Sequence, residues 1–97
     1  MKTVSILVPC CNEEAVLEKF HARVSEVIAK IDDCEFGFVF VNDGSTDGTL
    51  EIMRRLRSRD ARVHYISLSR NFGKETAMIA GLDQVDSDAV IIMEIGR

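Results

Sequence analysis

Residues 4–8 (VSILV) form an apolar run broken only by Ser5 and followed by Pro9. Such a run is too short for a helix and suits a buried strand closed by the proline. From Ala15 the period changes. Val16, Leu17, Phe20, Val24, Val27, Ile28 and Ile31 recur every three or four residues, with Glu18, Lys19, Arg23, Glu26 and Lys30 between them, so an amphipathic helix is expected. Asn12 stands at its expected N-cap, with Glu13 and Glu14 in the first turn, where the helix dipole favours negative charge. Residues 36–41 (FGFVFV) are apolar on both alternating faces, the pattern of a central strand covered on both sides. The polar turn 42–49 follows, then a helix with Leu50, Met53 and Leu56 inward that ends near Asp60. Residues 63–68 suggest a third strand, 69–73 its loop, and 74–85 a third helix with Met78, Leu82 and Val85 on one stripe. Ala77, Ala80 and Gly81 leave that helix room for close approach, and residues 89–93 complete the pattern as a fourth strand.

The order β-α-β-α-β-α-β with short connections defines an α/β fold with a mostly parallel sheet and right-handed crossovers. In such sheets ligands bind beyond the carboxyl ends of the strands, where strand order reverses. Three polar loops answer to that rule: residues 9–14, 42–49 and 69–75.

Composition narrows the candidates. The 97-residue chain carries 16 Asp and Glu against 12 Lys and Arg, a formal charge of −4, so nucleic acid is not an expected partner. Its densest cationic run, Arg54, Arg55, Arg57, Arg59 and Arg62, has the spacing of a solvated helix face. The longest apolar stretches, 36–41 and 89–93, fall far short of the roughly 20 residues a bilayer requires. The opening MKTVSILV carries no cleavage-site pattern, so a cytoplasmic location is expected. Cys10, Cys11 and Cys34 match no zinc spacing and are expected as reduced, buried thiols. His21 and His64 accompany no recognisable nucleophile and are expected to be structural or solvent-facing.

Several motifs fail on inspection. Asp43-x-Ser45-x-Asp47-Gly48 opens like a calcium loop, but its twelfth position is Arg54. Gly73-Lys74-Glu75 lacks the upstream glycine and following hydroxyl of a P-loop, and no G-x-G-x-x-G follows the first strand. A receiver domain would need a phosphorylatable Asp after the third strand, where Ser69-Arg70-Asn71 stands.

Taken together, VPCCNEE, VNDGSTDGT and SRNFGKETAMIAGLD, each after a predicted strand, resemble the nucleotide-sugar-binding half of the inverting glycosyltransferase family two. The branch most resembled loads sugars onto polyprenyl phosphate, as in dolichyl-phosphate mannose synthase-like and bactoprenol glucosyltransferase-like enzymes. The resemblance spans residues 4–93 and implies a glycosyltransferase A-type fold, a Rossmann-like parallel sheet. By position it implies that Pro9, Asn12 and Glu13 line the base and ribose pocket. Asp43 would accept a hydrogen bond from the base, with Asn42 in place of the neighbouring Asp of the common D-D-G-S form and Ser45 in the same turn. Arg70, Asn71, Gly73 and Lys74 would lie near the diphosphate and sugar. A carboxylate suits the base because uracil and guanine each present an N–H, and cations suit a leaving group on which negative charge develops.

The same resemblance implies Mg²⁺ or Mn²⁺ held by a D-x-D motif after the fourth strand. Here Glu94-Ile95-Gly96-Arg97 follows Met93, so Glu94 is the single candidate metal ligand and tight metal binding by this chain is not expected. Residues 1–97 are therefore expected to be a truncated, N-terminal, nucleotide-sugar-binding part of a larger enzyme and inactive alone, with no catalytic residue assigned. The expected donor is UDP-linked in preference to GDP-linked. The expected acceptor of the full protein is a lipid phosphate, met at the cytoplasmic face of the membrane. A sheet ending at its fourth strand would leave apolar surface bare, so a homodimer is expected. The alternative is a non-catalytic nucleotide-binding or scaffold module of the same fold.

Overall fold

A computed structural model describes residues 1–95. Four strands and three helices alternate: β1 (Lys2–Cys10), α1 (Leu17–Ile28), β2 (Cys34–Asn42), α2 (Thr49–Arg59), β3 (Val63–Ser67), α3 (Lys74–Leu82) and β4 (Ala89–Ile92). The strands form one sheet in the order β3-β2-β1-β4, with every neighbouring pair parallel. After β3 the chain crosses two strands to place β4 on the far side of β1, so strand order reverses between β1 and β4.

Alternation along the two inner strands builds a core on each face of the sheet. Ile6, Val8 and Cys10 of β1 join Phe38 and Phe40 of β2 beneath α1 and α2, meeting Leu17, Ile28, Ile52, Met53 and Leu56. The opposite parity, Leu7, Val39 and Val41, packs with Ala77 of α3. Two buried faces explain the near-continuous apolar spelling of these strands. Close packing on the α3 side depends on Gly81, where an added Cβ would collide with Leu7 Cδ1 and lie 3.0 Å from Val41 Cγ2.

Several expectations need correction. β1 does not stop at Pro9, which pairs in register with Val41. Leu7 C=O accepts from Met93 on the β4 side. Pro9 shares that parity, so its missing N–H falls where β4 has already ended and costs no ladder bond. α1 begins at Leu17 without a side-chain cap, and Asn12 takes no part in capping it. The Glu13 carbonyl instead accepts from Val16 and Leu17. Val27 and Ile31, expected inward, are 48% and 41% exposed. On α2 it is Thr49, Ile52, Met53 and Leu56 that are buried, so Ile52 takes the inward place expected of Leu50. α3 ends at Leu82, and its buried residues are the small Ala77 and Gly81 rather than Met78 or Leu82. A helix lying this close to the sheet turns its smallest residues inward, which inverts the usual reading of an apolar stripe. Cys10 is buried as expected, whereas Cys11 and Cys34 are half-buried.

Candidate functional site

The loops that follow β1, β2 and β3 converge at the carboxyl end of the sheet, beside the point where strand order reverses. Residues 11–14 and 42–49 are knit together first. Asn12, at φ 55°, donates its N–H to Ser45 Oγ at 3.0 Å, and its Oδ1 accepts from the Thr46 N–H at 2.8 Å. The Glu13 N–H donates to Thr49 Oγ1 at 2.8 Å, and Glu14 Oε2 accepts from the Gly48 N–H at 2.9 Å. Asp47 accepts from the Thr49 N–H beside the start of α2, whose N-cap residue is Gly48. Burial pushes the Asp47 carboxyl up, but hydrogen bonds from Thr49 and from the Glu14 backbone outweigh it and hold it below its ordinary value. Asn12 therefore ties one loop to the next, which explains its left-handed backbone.

The third loop is fastened to the second through Asp43. This buried carboxylate accepts from the Phe72 N–H at 2.8 Å through Oδ1 and from the Gly73 N–H at 3.1 Å through Oδ2. Its own N–H donates to the Cys10 carbonyl at 2.8 Å, which continues the β1–β2 pairing into the loop. Gly44, at φ 64°, lets the two loops touch backbone to backbone. A Cβ there would run into the Asn71 nitrogen and the Arg70 carbonyl carbon and stand 2.8 Å from Asn71 Cα. The Asn71 side chain donates to the Asp43 carbonyl at 3.2 Å and to Cys11 Sγ at 3.1 Å.

Between these loops lies a cleft of about 430 Å³, lined by Pro9, Cys10, Cys11, Glu13, Asp43, Asn71, Gly73, Lys74, Glu94 and Ile95. That volume is within the ~300–1,000 Å³ range typical of small-molecule sites. Of the residues singled out from sequence, Pro9, Glu13, Asp43, Asn71, Gly73, Lys74 and Glu94 line it. Asn12, Asn42, Ser45 and Arg70 do not. Asn42 is buried and fully used: its Nδ2 donates to Ser67 Oγ at 3.1 Å and its Oδ1 accepts from the Ser45 N–H at 3.1 Å. Arg70 lies outside, with its guanidinium 4.8 Å from the centroid of the exposed Phe72 ring. Cys10, Cys11 and Ile95 are lining residues that the sequence reading passed over. The position of the cysteines inside the first loop was the available signal. Burial first, then the neighbouring Glu13 and Cys11, pushes the Cys10 thiol up to about 12, so it stays protonated and is not a nucleophile.

Across the cleft mouth Lys74 Nζ pairs with Glu94 Oε1, both side chains more than half exposed. Among the described residues no group of three His, Cys, Asp or Glu side chains could hold a metal. Glu94 offers one carboxylate, paired with Lys74 across the cleft mouth, and both Asp43 oxygens accept from backbone N–H groups, so the described residues do not by themselves make a complete metal centre. No helix among the described residues is long and apolar enough to cross a membrane.

An all-parallel α/β sheet with a cleft at its switch point, lined by Lys74 and by the carboxylates of Glu13, Asp43 and Glu94, places a ligand site where such folds bind their ligands. Residues 5–94 match the Glycosyl transferase family 2 profile, and the chain belongs to that family. It is 41% identical over 92 residues to the bactoprenol glucosyl transferase of Shigella phage SfV, covering 95% of this chain and 30% of that protein. Among solved structures, S. aureus TarS 1–349 in complex with UDP superposes with a TM-score of 0.72 at 30% identity, over 97% of this chain and 27% of that one. The mannosyltransferase PcManGT from Pyrobaculum calidifontis, solved with GDP-Man and Mn²⁺, reaches a TM-score of 0.80 at 24% identity. That match covers 94% of this chain and 26% of that one, and it shows the shared fold. The chain thus spans less than a third of the length of the curated relatives it matches. The fold expected from sequence, a parallel α/β sheet of the glycosyltransferase A type in its N-terminal part, is the one observed.

Proposed function

We propose that the cleft binds the nucleoside diphosphate portion of a sugar donor, UDP-linked by preference, as the donor-binding part of an inverting glycosyltransferase. The observation that carries the proposal is the convergence of Pro9, Glu13, Asp43, Gly73 and Lys74, from three separate loops, on one cleft. UDP in the TarS structure and GDP-Man in the PcManGT structure support a nucleotide-sugar occupant, and the TarS ligand favours uridine. The base lies against Pro9 and the Asp43 side of the cleft. The diphosphate lies toward Gly73 and Lys74, where an ammonium offsets the charge that builds as the glycosidic bond breaks. Glu94 must release Lys74 for that contact, a small cost because exposed ion pairs contribute about 0–1 kcal/mol.

The acceptor is a polyprenyl phosphate, by analogy with the bactoprenol glucosyl transferases, and it meets the full-length protein at the cytoplasmic face of the membrane. Residues 1–97 bind donor without turning it over, because they span less than a third of the length of the curated relatives they match. Self-association covers the exposed β4 edge, where Ile91 and Ile92 are 42% and 46% exposed. Calorimetric titration with UDP, UDP-glucose, GDP and GDP-mannose tests the donor assignment. UDP-linked ligands should bind most tightly, and Lys74→Ala should weaken UDP more than uridine. Equal weakening of UDP and uridine would place the diphosphate elsewhere.

A further inference from the structure

The side-chain amide of Asn71 joins all three loops of the cleft. It sits on the third loop, donates at 3.2 Å to the carbonyl oxygen of Asp43 on the second, and donates at 3.1 Å to the sulfur of Cys11 on the first. A carbonyl oxygen only accepts, so the amide nitrogen and not its oxygen must face Asp43. Two further observations place this contact at the hinge of the site. The Asn71 main chain lies directly against Gly44, where no Cβ fits. The next two residues, Phe72 and Gly73, supply the N–H groups that hold the Asp43 carboxylate.

We infer that Asn71 is a positioning residue for the donor site: it sets the register of the third loop, so that the Phe72 and Gly73 amides meet Asp43 and Lys74 is presented to the cleft. Asn71 is itself exposed, so its contribution is to loop geometry and not to the core. The donor half of this inference rests on the function proposed above, whereas the loop tie rests on the hydrogen bonds of Asn71, Phe72 and Gly73 alone.

The test uses Asn71→Ala and Asn71→Asp, the second keeping the shape of the side chain but removing its N–H donors. Thr76→Ala, an exposed position on α3, serves as control. Residue-resolved amide exchange without ligand is measured beside UDP titration and thermal melting. Loss of one hydrogen bond of ordinary strength and a weaker one to sulfur should speed exchange at Phe72 and Gly73 by about tenfold and weaken UDP by about tenfold, with thermal melting still cooperative. Unchanged exchange at Phe72 and Gly73 in both variants overturns the tie. Faster exchange with undiminished UDP affinity overturns the positioning role. Faster exchange in a chain whose wild type binds no UDP supports the tie and overturns the donor assignment.

Discussion

Gly44→Ala attacks the contact between the second and third loops at its tightest point. The wild-type φ of 64° is left-handed, which costs an alanine about 1 kcal/mol. The added methyl would also stand 2.8 Å from Asn71 Cα and closer still to the Asn71 nitrogen and the Arg70 carbonyl carbon. All three are backbone atoms, so no rotamer change relieves the clash. Restoring ordinary contact at ~3.5 Å with the closest of these atoms requires the third loop to retreat by roughly 1.4 Å. That retreat takes the Phe72 N–H, now 2.8 Å from Asp43 Oδ1, beyond hydrogen-bonding range and strains the 3.1 Å bond from Gly73. Hydrogen bonds to a charged group contribute about 1.5–3 kcal/mol each, partly recovered when the freed groups meet water. The sum is a destabilisation of about 3 kcal/mol, a fall in melting midpoint of roughly 12–24 °C for a domain of this size. Thermal denaturation followed by circular dichroism measures it. Gly37→Ala is the comparison: there a Cβ meets only the Arg62 carbonyl oxygen at 3.5 Å, and the midpoint should hold or rise. A Gly44→Ala midpoint within about 4 °C of wild type, roughly 1 kcal/mol, would refute the claim that the loops are locked backbone to backbone.

Three other outcomes follow from the same structure. Gly81→Ala should cost about 1–3 kcal/mol in denaturant unfolding, because its methyl enters the space of Leu7 Cδ1, and Leu7→Val in the same chain should recover part of that loss. Asp60 is held far below the ordinary carboxylate range by hydrogen bonds from Arg62, against the upward push of burial, with His21 also donating. Its contribution is complete above the unfolded value near 4 and is lost as pH falls below it, so Asp60→Asn should destabilise at pH 7 and flatten the acid limb. An acid limb as steep in Asp60→Asn as in wild type would remove Asp60 as its cause. The proposed self-association predicts a concentration-dependent mass in light scattering that Ile91→Lys abolishes, and a monomer at every concentration would reject it.

How much of this was legible in the sequence varies by element. β2 was read correctly because apolar residues at both parities leave no solvent face, and the three loops were found because each polar run directly follows a strand. α3 misled because contact with the sheet is made by Ala77 and Gly81, so the large residues that normally mark an inward face point outward. Asn12 and Asn42 were recognised as important, and the Asn42 bond to Ser45 is local to the turn, yet the ties of Asn12 to Ser45 and Thr46 and of Asn42 to Ser67 lie across chain connections that local pattern does not reveal. Asp43 was singled out for a ligand. That it also holds the Phe72 and Gly73 amides could be read only once the third loop was seen folded over the second.

The most direct measurement is nitrogen–proton correlation spectroscopy of the isotopically labelled chain during UDP titration. The account predicts saturable shifts confined to residues 10–14, Asp43, Gly44 and 71–74, with Asp43→Ala abolishing them. No shifts at millimolar UDP, or shifts centred on the separate cavity beside His21, Asp60 and Arg62, would contradict the assignment of the three-loop cleft as the donor site.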